Sequence, residues 1–448
     1  MRILFRFLKP HQLNHSSIVE WELLLLIKSS GVRLMRLYKI ITILYFVLFF
    51  YSPTNNAQTL DYFLNQGLAN SPLLKDYQNQ IYASALDSLL VKSAQLPQIG
   101  LNSQFLVAPV YSHFGYDEAI TNGGNYSGVV AVTQPFFNQK NLSNKFKSIS
   151  IQKQSLQNSS KISTSELKRV ITNLYLTAFA DLSDLKFNKT FLKIMQGEVE
   201  IIQQLVTNGV YKQTDYLSLR IEQQSLEIRI LQIKGQYEKD MQLLNQICGL
   251  SDSTGQNISI PLVAKADLPN PILSPLFIQY KIDSLRISNE KIAIENRYRP
   301  KLSWYADAGF SSSIFLNIYQ HFGYSAGINL SFPIYDGNQR KLEIEKLSIS
   351  EDSRTHYEWY FKNQYASQVL QLNNELSISK NITAKLNKQL ATSEELLFLS
   401  KNQLNYGNIA ITEFINVLKN YNTINHELNQ WQVKSLMIIN ELNYLMQQ

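Results

Sequence analysis

The chain has one cysteine in 448 residues, Cys248, so no intramolecular disulfide can hold its fold. Its six histidines (His11, His15, His113, His321, His356, His426) are scattered, with neither HExxH nor Cys/His metal spacing. There is no glycine-rich phosphate loop and no nucleophile elbow. With no clustered catalytic set, the expectation is a protein that is not an enzyme and needs no cofactor or metal. Charge is sparse, at 17% of residues against 45% apolar, which supplies a large core and argues against disorder. The net charge of +7 invites a nucleic-acid reading, yet residues 1–57 hold seven Lys/Arg against Glu20 and Glu22 and carry most of it. No nucleic-acid partner is expected. Long apolar runs are missing too: the stretch Ile40 to Tyr51 has twelve residues, where a bilayer-spanning helix needs about 20.

That short run has another use. MRLYKIITILYFVLFFYSPTNNAQ, from Met35, sets Arg36 and Lys39 before the apolar stretch and ends near Ala57, the layout of a secretory signal. Cleavage is expected near Ala57, although Asn55 fits the small-residue rule poorly. Residues 1–34 lack this logic; an upstream start, with Met35 as the true one, is preferred to a functional extension. No Cys follows the run to carry a lipid anchor.

After residue 58 the sequence repeats itself. NGVYKQTDYL at 208–217 and YGNIAITEFI at 406–415 share Gly, a gap of four, Thr, an acid and an aromatic-aliphatic pair, 198 residues apart. QPFFNQ and FPIYDG keep the same spacing through Pro135 and Pro333, while Pro97 and Pro300 are 203 apart. The expected organisation is a first repeat over 58–262 and, over 263–448, a linker rich in proline (Pro269, Pro271, Pro275) followed by a second repeat.

Between the prolines the period is two. Leu302, Trp304, Ala306, Ala308 and Phe310 alternate with polar or small neighbours, as do Tyr324, Ala326, Ile328, Leu330 and Phe332. Strands are expected at about 99–108, 126–135, 301–311 and 323–332, each near the ten residues that cross a bilayer when tilted. A half-buried soluble sheet would share the pattern. Phe136, Phe137, Phe332 and Tyr335 beside the strands suit either an interfacial aromatic belt or ordinary packing.

Elsewhere the chain is heptad-like. Phe414, Tyr421, Leu428, Ser435 and Leu442 interleave with Val417, Ile424, Trp431, Ile438 and Leu445, and the positions 198 earlier repeat the seam from Tyr216 to Ile247. Long helices of about 68 residues are expected from Gln139 and from Asn338, with partners of about 35 residues after each decamer and about 30 to 37 before each strand pair. The decamers, at 207–215 and 405–413, read as tight turns: Gly209 and Gly407 for a left-handed stop, Thr214 and Thr412 as caps, Asp215 and Glu413 near the next helix's positive end. Seams this long, and four strands too few to close a barrel, call for self-assembly.

In order and spacing these motifs, together with TLDYFLNQGLANSPLLKDY at 59–77 and its Asn70-Ser71-Pro72 turn, resemble the TolC family of outer-membrane efflux and secretion ducts. The resemblance covers nearly the whole chain after the leader. It implies a mainly α fold of duplicated coiled-coil hairpins with four strands per subunit, assembled as a homotrimer into a 12-stranded β-barrel and a periplasmic α-helical tunnel. It further implies a passive channel in the cell outer membrane, in contact with its lipid. The implied partners are a periplasmic adaptor and an inner-membrane RND or ABC transporter, in an efflux pump or type I secretion system. Gly209, Thr214, Asp215, Gly407 and Thr412 would then belong to adaptor-docking tips. Glu413 and Asn416 align with two acidic gate positions of the family, one of which is an amide here, and the family's basic partner is missing near Ile409 or Ala410. Glu413 can equally be an exposed acid favouring a helix start. The alternative from another class is a soluble periplasmic coiled-coil scaffold.

Overall fold

A computed structural model describes residues 58–112, 114–117, 119–120, 122–136, 139–251, 257–265 and 274–446. The signal reading of residues 1–57, the linker prolines Pro269 and Pro271, and Phe137 lie outside the described residues. Helices α1 (Leu60–Asn70) and α2 (Pro72–Ser93) lead into strands β1 (Gln98–Ala108) and β2 (Gly123–Pro135). Helices α3 (Gln139–Thr207), α4 (Gln213–Ile247) and α5 (Pro275–Arg297) follow. Strands β3 (Lys301–Ser312) and β4 (Phe322–Ser331) flank a 3-10 turn, Phe315–Gln320, before α6 (Gln339–Asn405) and α7 (Ile411–Leu445).

The punctuation is chemical. α1 and α2 are separate because Pro72 has no N–H to donate back into α1; Ser71 instead caps α2, its Oγ accepting from the Leu74 N–H at 3.4 Å. Ser274 and Pro275 open α5 in the same way. The stretch before the first strand pair is therefore broken into helices of 11 and 22 residues, and that before the second is one helix of 23, shorter than the sequence led us to expect. The two long helices have 69 and 67 residues, about 100 Å each. Among the described residues no helix is long and apolar enough to cross a membrane.

α3 is the common wall, packing on α1, α2, α4, α5 and α7, while α6 packs on α5 and α7. One apolar cluster joins α3 and α4 to the end of α6 and the start of α7 through Ile202, Leu219, Leu404 and Phe414. A second joins α1, α3 and α4 through Phe63, Ile171, Tyr175 and Leu244, and is so tight that a Cβ on Gly67 would collide with Ile171 Cδ1. Cys248 is buried there, its thiol donating to the Phe63 carbonyl at 3.4 Å, and burial pushes that thiol up to about 11.

Against α5, α3 is held by buried amides. Asn158 Nδ2 donates to the Pro275 carbonyl at 2.9 Å, and fourteen residues away Asn144 Nδ2 donates to Asn289 Oδ1 at 2.8 Å. The antiparallel pairing then passes into the sheet, where the Phe136 N–H donates to the Leu302 carbonyl at 2.8 Å and Pro135 pairs with Ser303.

The sheet is antiparallel in the order β1-β2-β3-β4, so β1 and β4 each keep one unpaired edge. Its register sorts most side chains by face, with Ser103 and Gln134 as exceptions on the apolar side and Leu106 and Val129 on the other. Leu101, Val130, Ala308 and Tyr324 form one row across all four strands, and Ile99, Val132, Ala306 and Ala326 the next. The opposite face carries Gln98, Thr133, Tyr305 and Gly327, then Gly100, Ala131, Asp307 and Ser325. There Ser325 Oγ donates to Asp307 Oδ2 at 2.8 Å. The apolar face is open in the protomer: Leu101 is 74% exposed and Ile328 69%.

Candidate functional site: the helix-hairpin tips

Both long helices end in the same hydrogen-bonded turn. At the end of α3 the Val210 N–H donates to the Leu205 carbonyl at 2.9 Å and the Gly209 N–H to Val206 at 3.0 Å. At the end of α6 the Asn408 N–H donates to Gln403 at 2.9 Å and the Gly407 N–H to Leu404 at 3.1 Å. This Schellman pattern needs a left-handed residue, supplied by Gly209 at φ +76° and Gly407 at φ +72°. The helices that follow start earlier than Thr caps would allow. α4 is capped at Lys212, with the Asp215 carboxylate accepting from the Lys212 N–H at 3.0 Å, and α7 at Ala410 with no side-chain cap. Thr214 and Thr412 lie inside the first turn and cap nothing, which corrects the sequence expectation. An acid that reaches back to its cap sits three residues after it, so Asp215 points to Lys212 rather than to Thr214.

The two tips touch. The Tyr211 hydroxyl donates to the Ile409 carbonyl at 2.9 Å and reaches the Leu404 carbonyl at 3.3 Å; Tyr211 and Ile409 hold the same place in their respective decamers. Burial pushes the Tyr211 phenol up, so it stays a donor. Val210 lies so close to Gly407 that a Cβ there would meet Val210 Cγ1 at 2.6 Å. Just beyond, Lys401 Nζ on α6 pairs at 2.6 Å with Glu198 Oε1 on α3, whose side chain is 1% exposed. Lys419 on α7 pairs with Glu222 on α4 at 2.9 Å.

Sequence reasoning missed Tyr211, Glu198 and Lys401. Tyr211 alone left a signal, as an aromatic in one decamer where the other has an aliphatic residue. Glu413 and Asn416, at the start of α7, are both exposed in the protomer and three residues apart on one helical face. Among the described residues no cluster of three His, Cys, Asp or Glu side chains gathers to hold a metal ion.

No family model matches the sequence, and no curated protein matches it. Solved structures do. CusC, described by the conformational changes that accompany its folding and transmembrane channel formation, superposes with a TM-score of 0.73 at 11% identity, over 87% of this chain and 92% of its own. The outer membrane protein VceC of Vibrio cholerae gives 0.71 at 11% identity, over 86% and 95%. The Campylobacter jejuni CmeC outer membrane channel gives 0.70 at 11%, over 88% and 86%. This is the TolC-like channel fold. In this chain the four-stranded sheet and the tips lie at opposite ends of the 69-residue α3.

Proposed function

We propose that the chain is a passive exit duct of the outer membrane, reached through the secretory leader and assembled as a homotrimer. Three copies of the sheet, joined β4 to β1, give twelve strands with every edge paired, and the helices extend into the periplasm as a tunnel. The single observation that carries this reading is the sorted sheet. One face is predominantly apolar and exposed in the protomer, the other is mostly polar or small, and both edges are open, as a wall between lipid and an aqueous lumen requires. A soluble scaffold has no use for such a face and would aggregate through it. The two halves, 58–262 and 263–448, act in this reading as repeats, each lending two strands and one tip.

The tips, with Gly209, Thr214, Asp215, Gly407 and Thr412, then face the periplasm and receive an adaptor, which links the duct to an inner-membrane transporter of the RND or ABC class in an efflux pump or type I secretion system. Glu413 and Asn416 stand where a threefold axis would repeat them as rings, so Glu413 contributes three carboxylates to a cation-sensitive constriction. The duct moves drugs, other small molecules or proteins without chemistry of its own; energy comes from its partners. The test is topological. An epitope inserted beside Asn122, between β1 and β2, should be labelled on intact cells, and the protein should leave outer membranes only with detergent, as a trimer. Release in soluble form would end the duct reading, and labelling only after permeabilisation would invert it.

A further inference from the structure

Midway along α3, far from the tips and the sheet, four titratable side chains from three helices meet inside the packing. Asp181 and Asp184 come from α3, Asp240 from α4 and His426 from α7. Three of the four have amide neighbours. Asp184 is buried and fully served: Oδ2 is 2.6 Å from His426 Nδ1, and Oδ1 accepts from Asn429 Nδ2 at 2.7 Å. His426 Nε2 lies 2.9 Å from the Gln430 amide, which can donate to it or, turned over, accept from it. Asp240, 6% exposed, accepts from Gln236 Nε2 at 3.0 and 3.1 Å.

Asp181 is different. Its carboxyl faces that of Asp240 within hydrogen-bond contact, and its Oδ2 is buried without a donor. Two carboxylates set face to face offer only acceptors, so the contact holds only if one of them carries a proton. We propose that Asp181 and Asp240 share a single proton that fastens α4 to α3, and that the helix packing at this level loosens when the proton leaves. Asp184 adds to the repulsion that Asp181 would feel once charged, and His426 opposes it from α7, so all three helices sense the proton.

Burial and then the Asp240 carboxyl hold Asp181 up at about 7, against 3.8 for a free carboxyl. Because the folded value is the raised one, the proton's contribution is complete below about 4 and is lost as pH rises through 7. Between pH 6 and pH 8 the linkage amounts to about a tenfold fall in the folded preference of this region. The inference concerns the wall itself and does not depend on what passes through the molecule.

The test is hydrogen–deuterium exchange on the full-length protein in detergent, corrected for the intrinsic pH dependence of exchange. Amides around residues 178–188 and 236–244 should lose about tenfold in protection from pH 6 to pH 8. In Asp181→Asn the loss should vanish, because the amide donates to Asp240 at either pH, and protection at pH 8 should exceed that of the unaltered protein. Should that variant fail to fold, Asp240→Asn carries the same expectation. A wild-type profile flat with pH, or an equal loss in either variant, would overturn the proposal.

Discussion

Gly209 and Gly407 do the same backbone task in different surroundings, and replacing each by alanine separates backbone strain from contact. At φ +76° and +72° an L-residue is disfavoured by about 1–2 kcal/mol, of which the stiffer unfolded chain returns about 0.4–1. The net is roughly 0.5–1 kcal/mol at either site. Around Gly209 a new Cβ meets nothing within 4 Å, whereas at Gly407 it meets Val210 Cγ1 at 2.6 Å. Val210 is about half exposed and can turn outward, so relief costs about 1 kcal/mol, the low end for overpacking. Gly407→Ala should thus cost about 2 kcal/mol and Gly209→Ala less than half that. Exchange of the Val210 and Asn408 amides reads this directly, and the gap of about 1 kcal/mol corresponds to a roughly fivefold difference in protection. Equal losses, or a larger one at Gly209, would show that the two tips do not rest on each other through Val210.

Two further substitutions reach the rest of the tip. Lys401→Met leaves Glu198 buried without its cation; since Lys401 is itself 45% exposed and screened, the cost should be about 2 kcal/mol, visible as a lower thermal midpoint and partly restored by adding Glu198→Gln. Glu413→Gln should weaken block by divalent cations applied from the tip side in single-channel recordings, and unchanged block would remove Glu413 from any gate.

Much of the architecture was legible because it rests on periodicities that do not depend on partners far away. Alternation at 302–310 fixes which side chains share a face of β3, and register then extends that face across the sheet. The heptads of α7 mark the side it turns to α6, where Leu442 and Ile438 are buried with Leu376. That helix has a second buried stripe, of asparagines. Asn422 Nδ2 donates to Asn188 Oδ1 at 3.0 Å, and Asn440 Nδ2 to the Arg169 carbonyl at 2.9 Å, both across to α3. Amides at these positions read as a solvated face from one sequence, because their partners lie more than 230 residues away in the chain. The same blindness hid Glu198 and Lys401, and the Asp181–Asp240 contact. The misplaced Thr caps arose differently, from choosing the preferred residue type over the spacing that the acid dictates.

The amide pins between α3 and α5 also bear on how quickly the chain can find its sheet. The two outer ladders are local hairpins, but the central one joins Tyr126 to Ser312 across a great length of chain, the kind of contact that slows folding most. Asn158 with Pro275 and Asn144 with Asn289 are spaced by fourteen residues along both helices, after which nine residues lead from Asn144 to Pro135 and fourteen from Asn289 to its partner Ser303. Once the helices have docked, β2 is delivered close to β3, with the five-residue difference taken up between the helices and the strands, and the long search shrinks to a short closing motion. A one-residue slip would exchange the faces of two strands at once. The helices are held to one register in their own way, because a slip of α5 along α3 would leave Asn144 and Asn158 buried and unpaired.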